Sequence, residues 1–307
     1  MKLDRTSLAL AATVLLWASA FPAIRVALDG YGAGGLSFVR LAVASLALAV
    51  VAPLLKVRRP RGRDLPRIAL VGASGMSAYQ LLLNWGEIHV PAGTASLIVA
   101  VVPAISALLA AAFLGERLTL AVVAGSAVAL GGAALIAVAG GDTRYTVAAW
   151  AVLAAAVAQA GYHFAIKPLL RRYTGLEVAC YAMWAGTVLL LLPLAPGAVR
   201  TALNAPVDAT LAAVYLGVLP SAAGFVVWGY AVARLTVTAA TAALYLVPVV
   251  ALAVAGVWLG ERPRPVELLG GLIGIAGVAL VNRRPRPERA RTAAGTSPRA
   301  VPTRRRS

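Results

Sequence analysis

VVPAISALLAAAFLGER (101–117) and LVPVVALAVAGVWLGER (246–262) are one phrase written twice, 145 residues apart. Each runs from a Val-Pro pair through an apolar stretch to Leu-Gly-Glu-Arg. The register extends well beyond the phrase. Positions 93–117 match 238–262 without gaps, with eight identities that include Pro103/Pro248 and the whole LGER. Gly125 and Gly132 match Gly270 and Gly277. Upstream, Trp85-Gly86 pairs with Trp228-Gly229 after a two-residue shift, and Ala23-Ile24-Arg25 pairs with Ala165-Ile166-Lys167. The chain therefore divides into one copy at 1–145, a second at 146–282, and an Arg-rich segment at 283–307.

The phrase sits in a chain of 307 residues that is 61% hydrophobic and only 13% charged, with a mean hydropathy of +0.84. Soluble domains carry about 25% charged residues and cannot cover this much apolar surface with one core. Apolar runs of 18 residues or more read as membrane-spanning helices. Ten are expected, near 7–27, 35–55, 68–87, 92–114, 119–139, 147–167, 176–195, 209–233, 238–259 and 266–282. Five spans per copy is an odd number, so the second copy enters the membrane upside down. The expected fold is an all-α integral membrane protein of ten transmembrane helices arranged as two inverted five-helix repeats, the architecture of secondary transporters. On that reading the two LGER phrases end helices at opposite membrane faces. The Gly stops the helix, and Glu and Arg mark the return to water. Glu116 and Glu261 are accordingly expected at the boundary, with no chemical role of their own.

A net charge of +17 raises nucleic acid as a partner, but the charge distribution argues for a membrane instead. Of the 28 Lys and Arg, 22 fall on the side of the N-terminus, the 56–67 segment and the tail. Five (Arg25, Arg144, Arg200, Arg262 and Arg264) fall on the other, and Arg40 lies within a span. The positive-inside rule then puts both termini in the cytoplasm of a multi-pass inner-membrane protein. The first span lacks a small-residue cleavage site and reads as a retained helix rather than a signal peptide. The tail at 283–307, with nine Arg and one Glu, cannot form a core and is expected to be disordered beside anionic lipid. The one cysteine, Cys180, falls inside a span as an inert buried thiol.

Ten spans, the five-plus-five duplication, the Trp-containing first helix LLWASAFPAIRVAL (15–28) and the twice-used Pro…LGER together resemble the EamA family of the drug/metabolite transporter superfamily. The resemblance covers residues 7–282. It implies an inner-membrane carrier that exports amino acids or other small metabolites. Many members of that family carry Gly-Ser-Asn after the Trp, whereas Trp17 is followed here by Ala18-Ser19-Ala20, so no particular member's substrate carries over.

Polar side chains on a lipid-embedded helix must face protein or water. Ser77, Gln80, Asn84 and Glu87 form one stripe at helical spacing, and Gln159, His163 and Lys167 form another. Ser221, Phe225 and Trp228 stack on one face, as do Thr241, Tyr245 and Pro248, while Trp17 and Phe21 occupy the repeat positions of Gln159 and His163. Trp17, Gln80, Asn84, Gln159, His163, Trp228 and Tyr245 are thus the expected substrate-binding residues, with amide glue between helices as the alternative for the amides. Trp85 and Trp228 also suit interfacial anchoring, and Arg25 and Lys167 suit anchoring at opposite faces. Pro22, Pro103, Pro220 and Pro248 interrupt spans and free the carbonyls of Ala18, Val99, Leu216 and Leu244, which suits kinks that shape or gate a path. Arg40 is suited to a substrate carboxylate, but snorkelling to headgroups or capping a kinked neighbour is the commoner use of such a residue. Gly125, Ala129 and Gly132, with Gly270, Gly274 and Gly277, invite close helix packing between the two copies or across a homodimer.

No Walker sequence is present, so ATP does not drive this chain directly. No metal cluster, cofactor motif or nucleophile–base pair falls mid-span, which argues against an enzyme. No acid is expected mid-span either; Glu87, Glu177 and Glu267 fall near ends. That favours a uniporter or exchanger over a carboxylate-based proton carrier, with His163 as the remaining proton site. A proton-coupled or exchange carrier for another organic solute, or a lipid flippase, is the rival function.

Overall fold

The computed structural model of the protein describes residues 4–116, 119–138 and 143–281. Arg117 and the Arg-rich segment 283–307 lie outside the described residues. Every regular element among those described is helical. Seven helices are long and apolar enough to cross a membrane: Arg5–Leu54, Ala92–Leu114, Leu120–Val138, Thr143–Leu169, Gly175–Ala202, Val207–Arg234 and Val237–Leu259. A helical run over 65–86 and the helix Pro265–Val281 pack among them. The chain is a multi-pass membrane protein.

Many large apolar side chains, such as Leu15, Leu46, Val50, Leu192 and Val257, point outward, while small ones such as Ala18, Ala23, Ala27, Ala44 and Ala155 are fully buried alongside Ile24, Leu36 and Leu41. Lipid tails are as apolar as leucine, so burial of large side chains gains little there. Close backbone packing through small residues is what holds the helices together. The helices at 120–138 and 265–281 take this furthest. A Cβ added at Gly132 would lie 2.5 Å from the Gly270 carbonyl oxygen, and one added at Gly277 would lie 2.5 Å from the Ala129 nitrogen. The two small-residue faces are spent on each other.

The Arg5–Leu54 helix has 50 residues. At 1.5 Å per residue that is roughly 75 Å, more than twice the hydrocarbon thickness of a bilayer, so the run must fold back. It breaks at Gly32 (φ 61°, ψ 172°), leaving arms over 5–31 and 33–54. Asp4 accepts from the Ser7 N–H and caps its start. The prolines disturb the helices as their missing N–H requires. Pro22 lies within the first arm. Pro103 follows a turn at 100–101 that separates Ala92–Val99 from Val102–Leu114. Pro220 lies in a π-helical stretch, Gly217–Ala223, and Pro248 follows a 3₁₀ stretch, Ala242–Tyr245. A second π stretch, Gly72–Ala78, lies 145 positions before the first.

A polar lock ties the 56–65 connection to the Arg172–Glu177 turn. Arg58 Nε donates to Glu177 at 2.7 Å, and Arg172 donates to Asp64 at 2.5 Å. The Tyr173 hydroxyl donates to the other Asp64 oxygen at 2.8 Å. Glu177 also completes a capping box with Thr174 at the start of Gly175–Ala202. The Tyr173 hydroxyl, with Arg172 second, holds the Asp64 carboxyl below the ordinary carboxylate range. Cys180 is a buried free thiol.

Candidate transport pathway

An aromatic cluster occupies the middle of the bundle. Trp17 stacks on His163 with ring centroids 6.3 Å apart and planes 7° apart, and it meets Phe225 and Trp228 at 5.1 and 5.3 Å. His163 lies 4.8 Å from Trp228 and 5.6 Å from Tyr162. The Trp17 Nε1–H donates to the Pro220 carbonyl at 3.1 Å, so the π stretch anchors the ring. Ser106 meets His163 Nδ1 at 3.2 Å and the Gln159 amide meets Nε2 at 3.4 Å, so both ring nitrogens of the fully buried imidazole rest on neutral partners.

Beside this cluster lies a narrow cavity walled by Trp17, Tyr79, Ser96, Gln159, Leu244 and Pro248, with Val99 also in its lining. It offers about 30 Å³ to the centres of water molecules, room for a few waters and no more. Val99 and Leu244 are the residues whose carbonyls Pro103 and Pro248 release from the helix ladder. They occupy equivalent positions in the two copies, as do Val102 and Val247 on the same wall.

A buried polar cluster adjoins the cavity through Tyr79, which walls the cavity and precedes Gln80 in the chain. Gln80, Asn84 and Glu87 form one stripe, and Asn84 Nδ2 donates to Ser37 Oγ at 2.9 Å. Arg40, one turn from Ser37, donates its Nε–H to Ser221 Oγ at 2.8 Å. Arg40 is 3% exposed and Glu87 is 0% exposed.

The acids of the repeated phrase each reach across to the other copy. Gly115 (φ 71°) and Gly260 (φ 68°) take the left-handed conformation that terminates a helix, which glycine adopts without strain. Each turns the next residue toward the opposite half. Glu116 accepts from the Val237 N–H at 3.0 Å and the Thr238 hydroxyl at 2.6 Å. Glu261 accepts from the Ala92 and Gly93 N–H groups at 3.0 and 2.9 Å. The copies exchange the same contact, since 92 and 93 correspond to 237 and 238 just as 116 corresponds to 261. A carboxylate at a helix N-terminus satisfies orphan N–H groups and complements the dipole.

Residues 5–138 and again 146–283 match the EamA-like transporter family. The chain belongs to this family. It is a transporter, not an enzyme. A relative from Streptantibioticus cattleyicolor, named a probable terminal-alkyne amino-acid exporter, is 70% identical over 92% of this chain and 95% of its own. A Bacillus subtilis protein named uncharacterized transporter YdfC is 37% identical over 86% of each chain. An uncharacterized transporter from Archaeoglobus fulgidus is 29% identical over 90% of this chain and 98% of its own. A crystal structure of a protein 20% identical covers 92% of this chain and 97% of that one, with a TM-score of 0.63, and shows a shared fold.

In this EamA-like transporter, Trp17 and Gln159 wall the cavity, while His163 and Trp228 stand behind Trp17. Gln80 and Asn84 lie in the adjoining polar cluster, and Tyr245 is partly exposed beside the lining residue Leu244. The structure refines three expectations. Glu87 stands at its helix end as expected, yet it is fully buried there, because Arg25 folds over the turn that follows it, donating to the Glu87 and Ile88 carbonyls. Arg40 does not snorkel, since Ser221 holds its guanidinium inside the bundle. Glu116 and Glu261 do more than mark a boundary, since each caps a helix of the other half. Lys167, the repeat mate of Arg25, likewise donates to the backbone carbonyls of Val232 and Leu235. The repeat mates Trp85 and Trp228 diverge, one 41% exposed and the other 0%.

Proposed function

We propose that this protein exports amino acids by alternating access through two inverted five-helix repeats, 1–145 and 146–282. Both termini lie in the cytoplasm and the chain spans the inner membrane ten times. The observation that carries this reading is the reciprocal pair of carboxylate caps. When residue i of one copy meets residue j of the other, and j's counterpart meets i's, the copies are related by a two-fold axis. The equivalent pairs Val99 and Leu244, and Val102 and Val247, all line the one cavity, which suits such an axis. Two separate family matches, 5–138 and 146–283, support the division. The break at Gly32 supports counting two spans in the first helix.

With both caps made and room for only a few waters inside, the conformation fits the occluded stage of such a cycle. Opening one mouth breaks one cap and leaves the other intact. Trp17, Gln159, His163, Trp228, Tyr245, Gln80 and Asn84 are the substrate-facing set, and Pro22, Pro103, Pro220 and Pro248 supply the flexible points. Amino acids are the substrate class because the 70% identical relative is named as a probable exporter of terminal-alkyne amino acids. Apolar and π-bearing side chains also suit an aromatic wall.

Single cysteines at 62 and 203, in a background with Cys180 replaced, test the topology. Position 62 should be protected from an impermeant external thiol reagent and 203 should react. The reverse pattern, or equal reactivity, refutes the inverted arrangement. Efflux of labelled amino acids from loaded proteoliposomes tests the substrate class, with labelled lipid as the control for a flippase. The buried Glu87 favours a second reading, exchange against protons, because a carboxylate kept from water is what proton carriers hold in their path. Loss of pH-gradient-driven flux in Glu87→Gln, with flux down the substrate's own gradient retained, would establish it.

A further inference from the structure

The polar cluster beside the cavity contains an imbalance that the protein alone does not resolve. Eight buried side-chain nitrogen or oxygen atoms among the described residues have no hydrogen-bond partner, and six of them belong to Arg40, Gln80, Asn84 and Glu87. Native structures pair nearly all buried polar atoms, so six orphans in one place need an occupant. Unpaired buried charges are costlier still. Arg40 and Glu87 lie within electrostatic reach of one another, yet neither Glu87 oxygen has a partner and Arg40 Nη1 has none. The other charges near Glu87 are engaged elsewhere. Arg25 donates to backbone carbonyls, and Glu261 caps Ala92 and Gly93.

The orphan atoms have a definite chemical complement. Two are donors, on Arg40 Nη1 and Gln80 Nε2, and four are acceptors, on Gln80, Asn84 and both Glu87 oxygens. A carboxylate offers two oxygens, and an ammonium offers three N–H donors. We propose that this cluster is the head-group site for a zwitterionic α-amino acid. Arg40 and Gln80 receive its carboxylate, Glu87 and Asn84 receive its ammonium, and its side chain points to the aromatic wall at Trp17, where the narrow cavity widens to admit it. The proposal rests on the amino-acid-export reading and adds to it the residues that recognise the zwitterion.

The placement follows from three fixed points. The Asn84–Ser37 hydrogen bond sets the face carrying Gln80, Asn84 and Glu87 against the face carrying Arg40. Tyr79, next to Gln80 in the chain, walls the cavity and lies within electrostatic reach of Arg40. Ser221 holds Arg40, and the carbonyl of the preceding Pro220 holds the Trp17 indole, so one turn of π helix bridges the head-group site and the aromatic wall. A zwitterion entering between Arg40 and Glu87 leaves the cluster's net charge unchanged.

Ligand-induced thermal shift and calorimetry on the purified full-length protein test the proposal. The probes are an L-α-amino acid with a terminal-alkyne side chain, the amine lacking its carboxylate, and the acid lacking its amine. The wild type should bind the amino acid at least tenfold more tightly than either analogue, about 1.4 kcal/mol. Arg40→Gln should abolish the preference over the amine, and Glu87→Gln should abolish the preference over the acid. Equal binding of all three by the wild type overturns the proposal and returns the cluster to water, even if both variants fail to fold. Folded variants that keep both preferences overturn it too. A wild type that binds no amino acid overturns the export reading together with the proposal.

Discussion

Removing the carboxylate of Glu261 or of Glu116 should open the pathway from opposite ends. In Glu261→Ala, two N–H groups at the start of Ala92–Val99, held at 3.0 and 2.9 Å, lose their acceptor. In Glu116→Ala, the Val237 N–H and the Thr238 hydroxyl lose theirs. A hydrogen bond to a charged group contributes about 1.5–3 kcal/mol, and the helix dipole adds a few tenths. Both carboxylates are only partly buried, so water replaces some of this, and the net loss should be roughly 2–3 kcal/mol per cap. That shifts a two-state equilibrium by about 30- to 150-fold toward the conformation in which that mouth is open. The assay is side-specific labelling of a cavity cysteine, Ser96→Cys, in a Cys180→Ser background. Right-side-out and inverted vesicles are each treated with an impermeant thiol reagent. Labelling should rise from one side in Glu261→Ala and from the other in Glu116→Ala, with both single variants near wild-type in the opposite vesicle. An increase on the same side in both, or in neither, would refute the claim that the caps close opposite mouths.

Three further outcomes are expected. Gly132→Leu should destabilise the protein by 1–3 kcal/mol or more, read as a fall in detergent melting temperature, because its Cβ alone would press on the Gly270 carbonyl at 2.5 Å; an unchanged melting temperature would mean that the helices at 120–138 and 265–281 are not packed as described. The Asp64 carboxyl is depressed in the folded state, chiefly by Tyr173 and then Arg172. Its contribution is therefore complete above its unfolded value of about 4 and lost as the pH falls below it; melting of the wild type should decline more steeply than that of Asp64→Asn between pH 6 and pH 3 (roughly the window spanning that value), and parallel declines would count against the lock. Trp17→Phe, which keeps the stack and deletes the bond to the Pro220 carbonyl, should slow amino-acid efflux with a loss of about 1 kcal/mol in stability; efflux at the wild-type rate would remove the indole N–H from the pathway.

The membrane class and the helical fold were legible from local chemistry, and the family from a resemblance carried by the duplicated phrase and the Trp-containing first helix. Apolar runs, the Gly that ends a helix and the Pro that interrupts one act through neighbours a few residues away, so they leave a pattern on the chain itself. The doubled LGER announced two related helix ends for the same reason, and both Gly115 and Gly260 are left-handed. The partners of the next residue were not legible. Glu116 and Glu261 bond residues 121 and 169 positions away, and nothing in the spacing of the phrase specifies which N-terminus each will cap. Burial depth was hidden in the same way. Glu87 looked like a boundary acid because only a few residues separate it from a connection, yet Arg25, 62 positions earlier, seals the turn above it. Trp85 and Trp228 align in sequence but not in surroundings, since Trp17 and His163 cover the second and leave the first in the open. Which polar side chains share a cluster, and which of them remain without a partner, depends on how distant helices meet, and only the packed bundle brings Arg40, Gln80, Asn84 and Glu87 together.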